Sequence, residues 1–215
     1  SGADKDNYTF TDQGSTTANI TAKTLSLSGL TASNKTYDGD TVATISSYGS
    51  LSGIETGDTV TLNTDNADPD FDTKNVGTGK TVTVQSLALA GTDAGNYTIG
   101  NETTTANITA KTLTLSGLTA DNKTYNGNTV ATISSYGSLS GVVSGDTVSL
   151  DSSSADPDFD TKNVGTGKTV TVQSLALSGD DAGNYTIGNE TTTADVTTKT
   201  LTATLSASNK TYDGD

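Results

Sequence analysis

One seven-residue stretch limits what this chain can fold into. It reads NKTYDGD at Asn34–Asp40, NKTYNGN at Asn122–Asn128 and NKTYDGD again at Asn209–Asp215, the copies lying 88 and 87 residues apart. Residues 24–111 and 112–199 align without a gap and are identical at 71 of 88 positions. A fixed period of this length describes a string of small domains, because solenoid repeats run to about 20–50 residues. Residues 1–23 match the end of a repeat, with DKDNYTF at Asp4–Phe10 standing against DAGNYTI at Asp93–Ile99. Residues 200–215 match the beginning of one. The expected organisation is the end of a preceding repeat (1–23), two full units (24–111 and 112–199) and the start of a following one (200–215).

Composition sets the class of each unit. Leu, Ile, Val and Phe total 39 of 215 residues, and the net charge is −14, a balance close to that of disordered chains. Pattern points the other way. KTVTV at Lys80–Val84 alternates strictly, and Thr, abundant throughout, favours the exposed face of a strand and disfavours a helix. An all-β array of small domains is expected. The same composition excludes several chemistries. With neither Cys nor His, the chain has no disulfide, no thiolate, no His-based triad and no His-ligated zinc. All eleven basic residues are Lys and the pI is near 4.1, the wrong balance for nucleic acid or an anionic membrane as partner. No apolar run approaches the roughly 20 residues of a membrane span. No nucleophile–base pair is visible, so an enzyme is not expected.

Along one unit, LSLSGL at Leu25–Leu30 reads as a first strand interrupted at Gly29. NKTYDGD reads as a tight turn between two strands, the second being Val42–Ser47. Asp58–Asn63 puts Val60 and Leu62 on one face. Asp65–Asp72 (DNADPDFD) holds Pro69, which cannot donate to a ladder, so it reads as an edge strand or loop. Gly77 and Gly79 read as a turn before Lys80–Val84, and the face slips at Leu87. Tyr97–Ile99 and Ala106–Ile108 read as a last hairpin. D-x-G-x-Y at Asp93–Tyr97 and Asp181–Tyr185 is similar to the tyrosine corner of immunoglobulin-like sandwiches. The fold expected is therefore a string of Ig-like Greek-key β-sandwiches, with a β-grasp-like bead as the alternative. No Pro-rich or Gly/Ser-rich linker separates Ile108 from Leu113, which predicts a short, restrained joint and an extended rod of independently folded copies.

Three motifs in order, KTYDG at Lys35–Gly39, FDTKNVGTGK at Phe71–Lys80 and DAGNYT at Asp93–Thr98, recur in the second unit. There Asn126 replaces the Asp, which leaves the turn chemistry intact. Together they resemble the YDG repeats of very large bacterial surface proteins. The resemblance implies a stalk within filamentous-haemagglutinin-like exoproteins and adhesins, and carries over no active residue.

Asp68, Asp70 and Asp72, like Asp156, Asp158 and Asp160, are spaced i, i+2, i+4. On a strand this puts three carboxylates on one face, which needs solvation or a neutralising cation. Calcium is the cation expected if there is one. The EF-hand pattern fails, with Thr73 at the sixth position from Asp68 and Gly79 at the twelfth; the other reading is a solvated, edge-guarding acidic loop. Asn-x-Thr occurs at ten positions, among them Asn34, Asn101, Asn107 and Asn184, as chance alone would place it in such a chain. Gly77–Lys80 lacks the spacing and the following helix of a phosphate loop.

The function expected is structural. The chain would be stalk or spacer repeats of a secreted bacterial surface adhesin, extracellular and monomeric, projecting a distal region that binds a host or surface ligand. Its own partners would be neighbouring repeats. The alternative is a set of weak glycan- or protein-binding modules that gain avidity from repetition. Most differences between the units fall at Ile54–Thr56, Asn63–Asn66 and around the first turn, which makes those segments poor candidates for a site that both units share.

Overall fold

A computed structural model describes residues 3–9, 11 and 14–215. Phe10, part of the amino-terminal repeat fragment, lies outside the described residues. Among those described there is no α-helix; short strands and three 3-10 turns make up the regular structure. The first unit holds eleven strands: β1 (Lys23–Ser28), β2 (Thr31–Ala32), β3 (Lys35–Thr36), β4 (Ile45–Ser47), β5 (Ser50–Ser52), β6 (Thr61–Asn63), β7 (Asp68–Phe71), β8 (Gly77–Gln85), β9 (Ala88–Ala90), β10 (Tyr97–Ile99) and β11 (Glu102–Thr109). The second unit repeats them from Lys111–Ser116 to Glu190–Thr197.

Each unit is built in two halves. In the first half β1 lies between β10, to which it is parallel, and β5, to which it is antiparallel. β6 and β9 pair beside it. The second half is a four-stranded sheet in the order β3-β11-β8-β7. β8 and β11 are its long central pair, with Val82 and Val84 fully buried on one face and Thr81 exposed on the other. The alternation seen in KTVTV thus becomes a two-faced strand, as expected.

Several local expectations are corrected. β10 and β11 do not form a hairpin: β10 pairs with β1 and β11 with β8. The chain changes sheet between them, at Gly100 and Asn101. NKTYDGD is not a hairpin turn either. Lys35–Thr36 runs parallel to β11, and Val42 bridges to Asp70 of β7. Asp38 and Asp40 hold this bend, with their carboxylates accepting from the backbone N–H groups of Asp40 and Val42, and Lys35 pairs with both at 2.7 and 2.6 Å. Gly77 and Gly79 lie inside β8, where a register shift opposite Ala106–Ile108 gives Gly79 a φ of +61°. The Asn107 side chain accepts from the Gly79 N–H at that bulge. Asp68–Phe71 is an edge strand, and Pro69 sits where no ladder donor is needed.

The sandwich expectation holds at the level of an all-β fold, and the tyrosine does something other than close a corner. The Tyr97 hydroxyl donates to Asp58 Oδ2 at 2.5 Å and accepts from the Glu55 N–H at 3.1 Å. It therefore fastens β10 to a turn about forty residues upstream, where a tyrosine corner would bond to nearby backbone.

Buried apolar residues form three clusters, and one crosses the repeat boundary. Leu25, Val60 and Tyr97 fill the first half of unit one. Ala131, Phe159, Val170, Ala194 and Val196 fill the second half of unit two. The third cluster joins Tyr37, Ala43, Phe71, Val82, Ala106 and Ile108 of unit one to Leu113 and Tyr185 of unit two. The copies are thus not independent globules. Only Ala110 separates β11 from the next strand, Lys111–Ser116. Residues 14–22 and 198–215 are exposed and form no strand, because the strands they would pair with belong to copies this chain does not contain. The short 3-10 turn Lys5–Asn7 still forms, matching Ala94–Asn96 and Ala182–Asn184.

Two substitutions test this frame. Phe159→Ala empties the centre of a three-layer contact and is expected to lower the unfolding free energy of unit two by about 3–5 kcal/mol in urea titrations. Gly49 has φ +65°, and a Cβ there would lie 2.0 Å from the Ser28 carbonyl oxygen. Gly49→Ala should cost about 3 kcal/mol or more, read by the same titration.

Candidate functional site at the joint between units

The residues that unite the third cluster come from two recurrent motifs. Tyr37 follows β3, and its N–H donates to Thr109 O at 2.8 Å, so the ring is carried at the end of the unit beside the last strand. Tyr185 opens the second unit's counterpart of β10. The two rings meet edge to face, with centroids 5.3 Å apart and planes at 75°, a geometry worth about 0.5–1.5 kcal/mol beyond the area it buries.

A carboxylate ties the two rings together. Asp146 Oδ2 accepts from the Tyr37 hydroxyl at 2.7 Å and from the Tyr185 hydroxyl at 2.6 Å. Its other oxygen faces Lys74 Nζ at 3.2 Å, and its side chain is 4% exposed. Tyr185 in turn accepts from the Val143 N–H at 3.0 Å. Lys74 also stands 5.9 Å above the Tyr37 ring. Beside this group Asn184, the one buried polar residue among those described, accepts from the Val76 N–H at 3.0 Å and donates to Asn75 Oδ1 at 3.3 Å. Gly39 presses against Val143, where an added Cβ would stand 2.6 Å from Cγ1. Every buried side-chain polar atom among the described residues is satisfied, as a water-free joint requires.

The titration behaviour follows from this packing. The Tyr185 hydroxyl holds the Asp146 carboxyl below the ordinary carboxylate range, and Tyr37 and Lys74 add to it against the opposing effect of burial. Burial, then Asp146, pushes Tyr185 up to about 12. Burial, then Asp146, also raises Tyr37. Hydrogen bonding to Tyr37 and then to Asp146 raises Lys74.

The same positions are more exposed where no neighbour covers them. Tyr37 is 1% exposed, whereas its counterpart Tyr125 is only half-buried; Asn184 is buried and its counterpart Asn96 exposed. Val164, the counterpart of half-buried Val76, is 50% exposed. The Asp58–Tyr97 bond forms without any partner, so the receiving half of a joint is organised before it is filled.

The predicted acidic residues are not gathered into a site. Asp70 accepts from the Thr41 hydroxyl at 2.9 Å. Asp72 pairs with Lys80 at 2.8 Å, and Asp160 with Lys168 at 2.5 Å. Asp68 and Asp156 begin their edge strands as exposed residues, and Asp158 bridges to Val130. Among the described residues no three acidic side chains converge as metal ligands would, so the donor set does not fit a calcium ion. The lysines on the next strand take up the charge instead. Of the Asn-x-Thr sites, Asn34 and Asn107 spend their side-chain oxygens on backbone N–H groups and Asn184 is buried, while Asn101 and Asn189 are exposed.

Asp146, Lys74 and Asn184 escaped notice in the sequence. Only their recurrence as Asp58, Lys162 and Asn96 marks them, and identity is the rule at 71 of 88 positions. The variable segment Ile54–Thr56, set aside as unsuited to a shared site, has Val142 and Val143 as its second-unit counterparts, and these line the joint.

Structure and joint together define a tandem all-β array whose neighbours share a core. The YDG domain model matches twice, over residues 21–106 and 109–194. The chain belongs to the YDG domain family. Neither a curated protein nor a solved structure matches it.

Two measurements test the joint. Tyr37→Phe removes one of three groups on a nearly buried carboxylate and should cost about 1–2 kcal/mol of coupled unfolding free energy. The pH profile follows from the signs. Asp146, with its folded value depressed, contributes stability above about pH 4 that is lost as pH falls through the folded value. Tyr185, with its folded value raised, contributes stability below about pH 10 that is lost as pH rises toward its folded value. Melting temperature should be level between these limits, and ultraviolet titration should show a late phenol that Tyr185→Phe abolishes.

Proposed function

We propose that the chain is a spacer segment of a large secreted bacterial surface adhesin, whose repeats project a distal binding region away from the cell. The work is mechanical: copy number sets reach, and the joint sets stiffness. One observation carries this reading. The apolar cluster that crosses the boundary includes side chains of both units, across a connection of one residue, so neither unit can turn without opening a shared core. A flexible bead-string would place polar linkers there. The surface supports the same role. The net charge of −14 keeps near-identical units soluble and discourages edge-to-edge pairing. The absence of Cys leaves nothing to crosslink the chain while it crosses a membrane unfolded.

Small-angle scattering of the full chain in dilute solution tests the proposal. A rod-like profile is expected, with unit centres ~30–40 Å apart. Tyr37→Ala combined with Asp146→Ala should broaden the distance distribution toward that of hinged beads while each unit keeps its β circular dichroism. A wild-type profile already matching freely hinged units would overturn the spacer reading. A saturable glycan ligand would favour the binding-module alternative.

A further inference from the structure

The joint has two halves, and the chain carries an open copy of each. The carboxyl-terminal end of unit two presents Tyr125, Asn126, Gly127, Lys162 and Val164, the counterparts of Tyr37, Asp38, Gly39, Lys74 and Val76. The amino-terminal end of unit one presents Leu25, Asp58 and Tyr97 as a finished receiving face, with Ile54 and Leu89 packed around it. Residues 14–22 and 198–215, which leave from these two ends, are exposed and cover neither.

These two open halves differ from the closed joint at positions that meet each other. In the closed joint the Asp38–Gly39 turn lies on Val143. At the open ends the turn is Asn126–Gly127 and the residue in place of Val143 is Glu55, whose carboxylate is 67% exposed and pairs with Lys23 at 2.5 Å. An Asp turn set on Glu55 would place two carboxylates together, whereas an Asn turn offers Glu55 an amide donor. Each turn therefore suits one receiving face: Asp with Val, Asn with Glu. The third motif copy agrees with this order. Ser208, Asp213 and Asp215 match Ser33, Asp38 and Asp40 of unit one, where unit two has Asp121, Asn126 and Asn128. A unit of the first kind thus follows the Asn-bearing unit.

We propose that the open end of unit two is a docking site for the receiving face of unit one of a second copy of this chain, with Asn126 and Glu55 as the residues that select the pairing. Lys162 would meet Asp58 as Lys74 meets Asp146, and Tyr125 would stack on Tyr97 as Tyr37 stacks on Tyr185. The contact is heterologous, because different surfaces meet, so it propagates head to tail and does not close as a dimer. It rests on the geometry of the joint and not on the spacer role.

Sedimentation equilibrium of the full chain, from about 10 μM to about 1 mM, tests this. The mean mass is expected to rise with concentration above the 21.7 kDa of one chain. Asn126→Asp should weaken association about tenfold, and adding Glu55→Val should restore it. Each substitution copies the residue that the other unit carries at that position, so the melting curve should stay unchanged. A mass of one chain throughout the range overturns the proposal, and so does association that Asn126→Asp leaves untouched or that the double variant fails to recover. None of these outcomes alters the dilute scattering profile on which the spacer reading depends.

Discussion

The carboxylate of Asp146 is the constraint around which the joint is arranged. A charge that is 4% exposed needs partners on every side, and here they come from both units: one tyrosine and a lysine from the first, the other tyrosine from the second. Neither unit alone satisfies it in full. The polar group therefore makes the register of the joint specific, while the surrounding Ile108, Leu113 and the two rings supply the apolar burial. Division of labour of this kind is common where close packing gives adhesion and a buried network selects one arrangement.

Sharing a core also answers the chain's poverty in large apolar residues. A domain of this size that closed its own core would bury little, and many such domains are marginal. Here each unit is two small half-cores, and the half facing a neighbour is completed by that neighbour. Stability then depends on nearest-neighbour contacts, as in other repeat arrays. The exposed fragments at residues 14–22 and 198–215 show the same rule from the other side. They carry repeat sequence and form no strand, because strands of this kind exist only in pairs. What does form, the 3-10 turn Lys5–Asn7, closes its bonds within a few residues.

Much of the architecture was legible. Alternation marked Lys80–Val84, Pro69 marked an edge strand, Gly29 marked the end of β1, and the slip at Leu87 follows from Ser86, whose φ is +56°. The errors share a cause. NKTYDGD and Tyr97–Ile108 look like hairpins because local turn chemistry is present in both, yet their strands pair with distant ones: β3 with β11, β10 with β1. Parallel pairing leaves no mark in the residues that join two strands, since the partner lies some seventy positions away. The acidic run misled for a related reason. Spacing put three aspartates on one strand, but Lys80 and Thr41, from other strands, had already claimed two of them.

By itself the sequence determined the period, the strand class, the acidic Cys-free surface and the absence of a linker. These follow from repetition, alternation and composition, which are properties of neighbours along the chain. Tertiary structure alone decided that the repeat boundary lies inside a core, that two tyrosines 148 positions apart meet (Tyr37 and Tyr185), and that Asp146 is buried between them. Those outcomes depend on which surfaces come together once the sheets have formed, and no residue type at a given spacing encodes that.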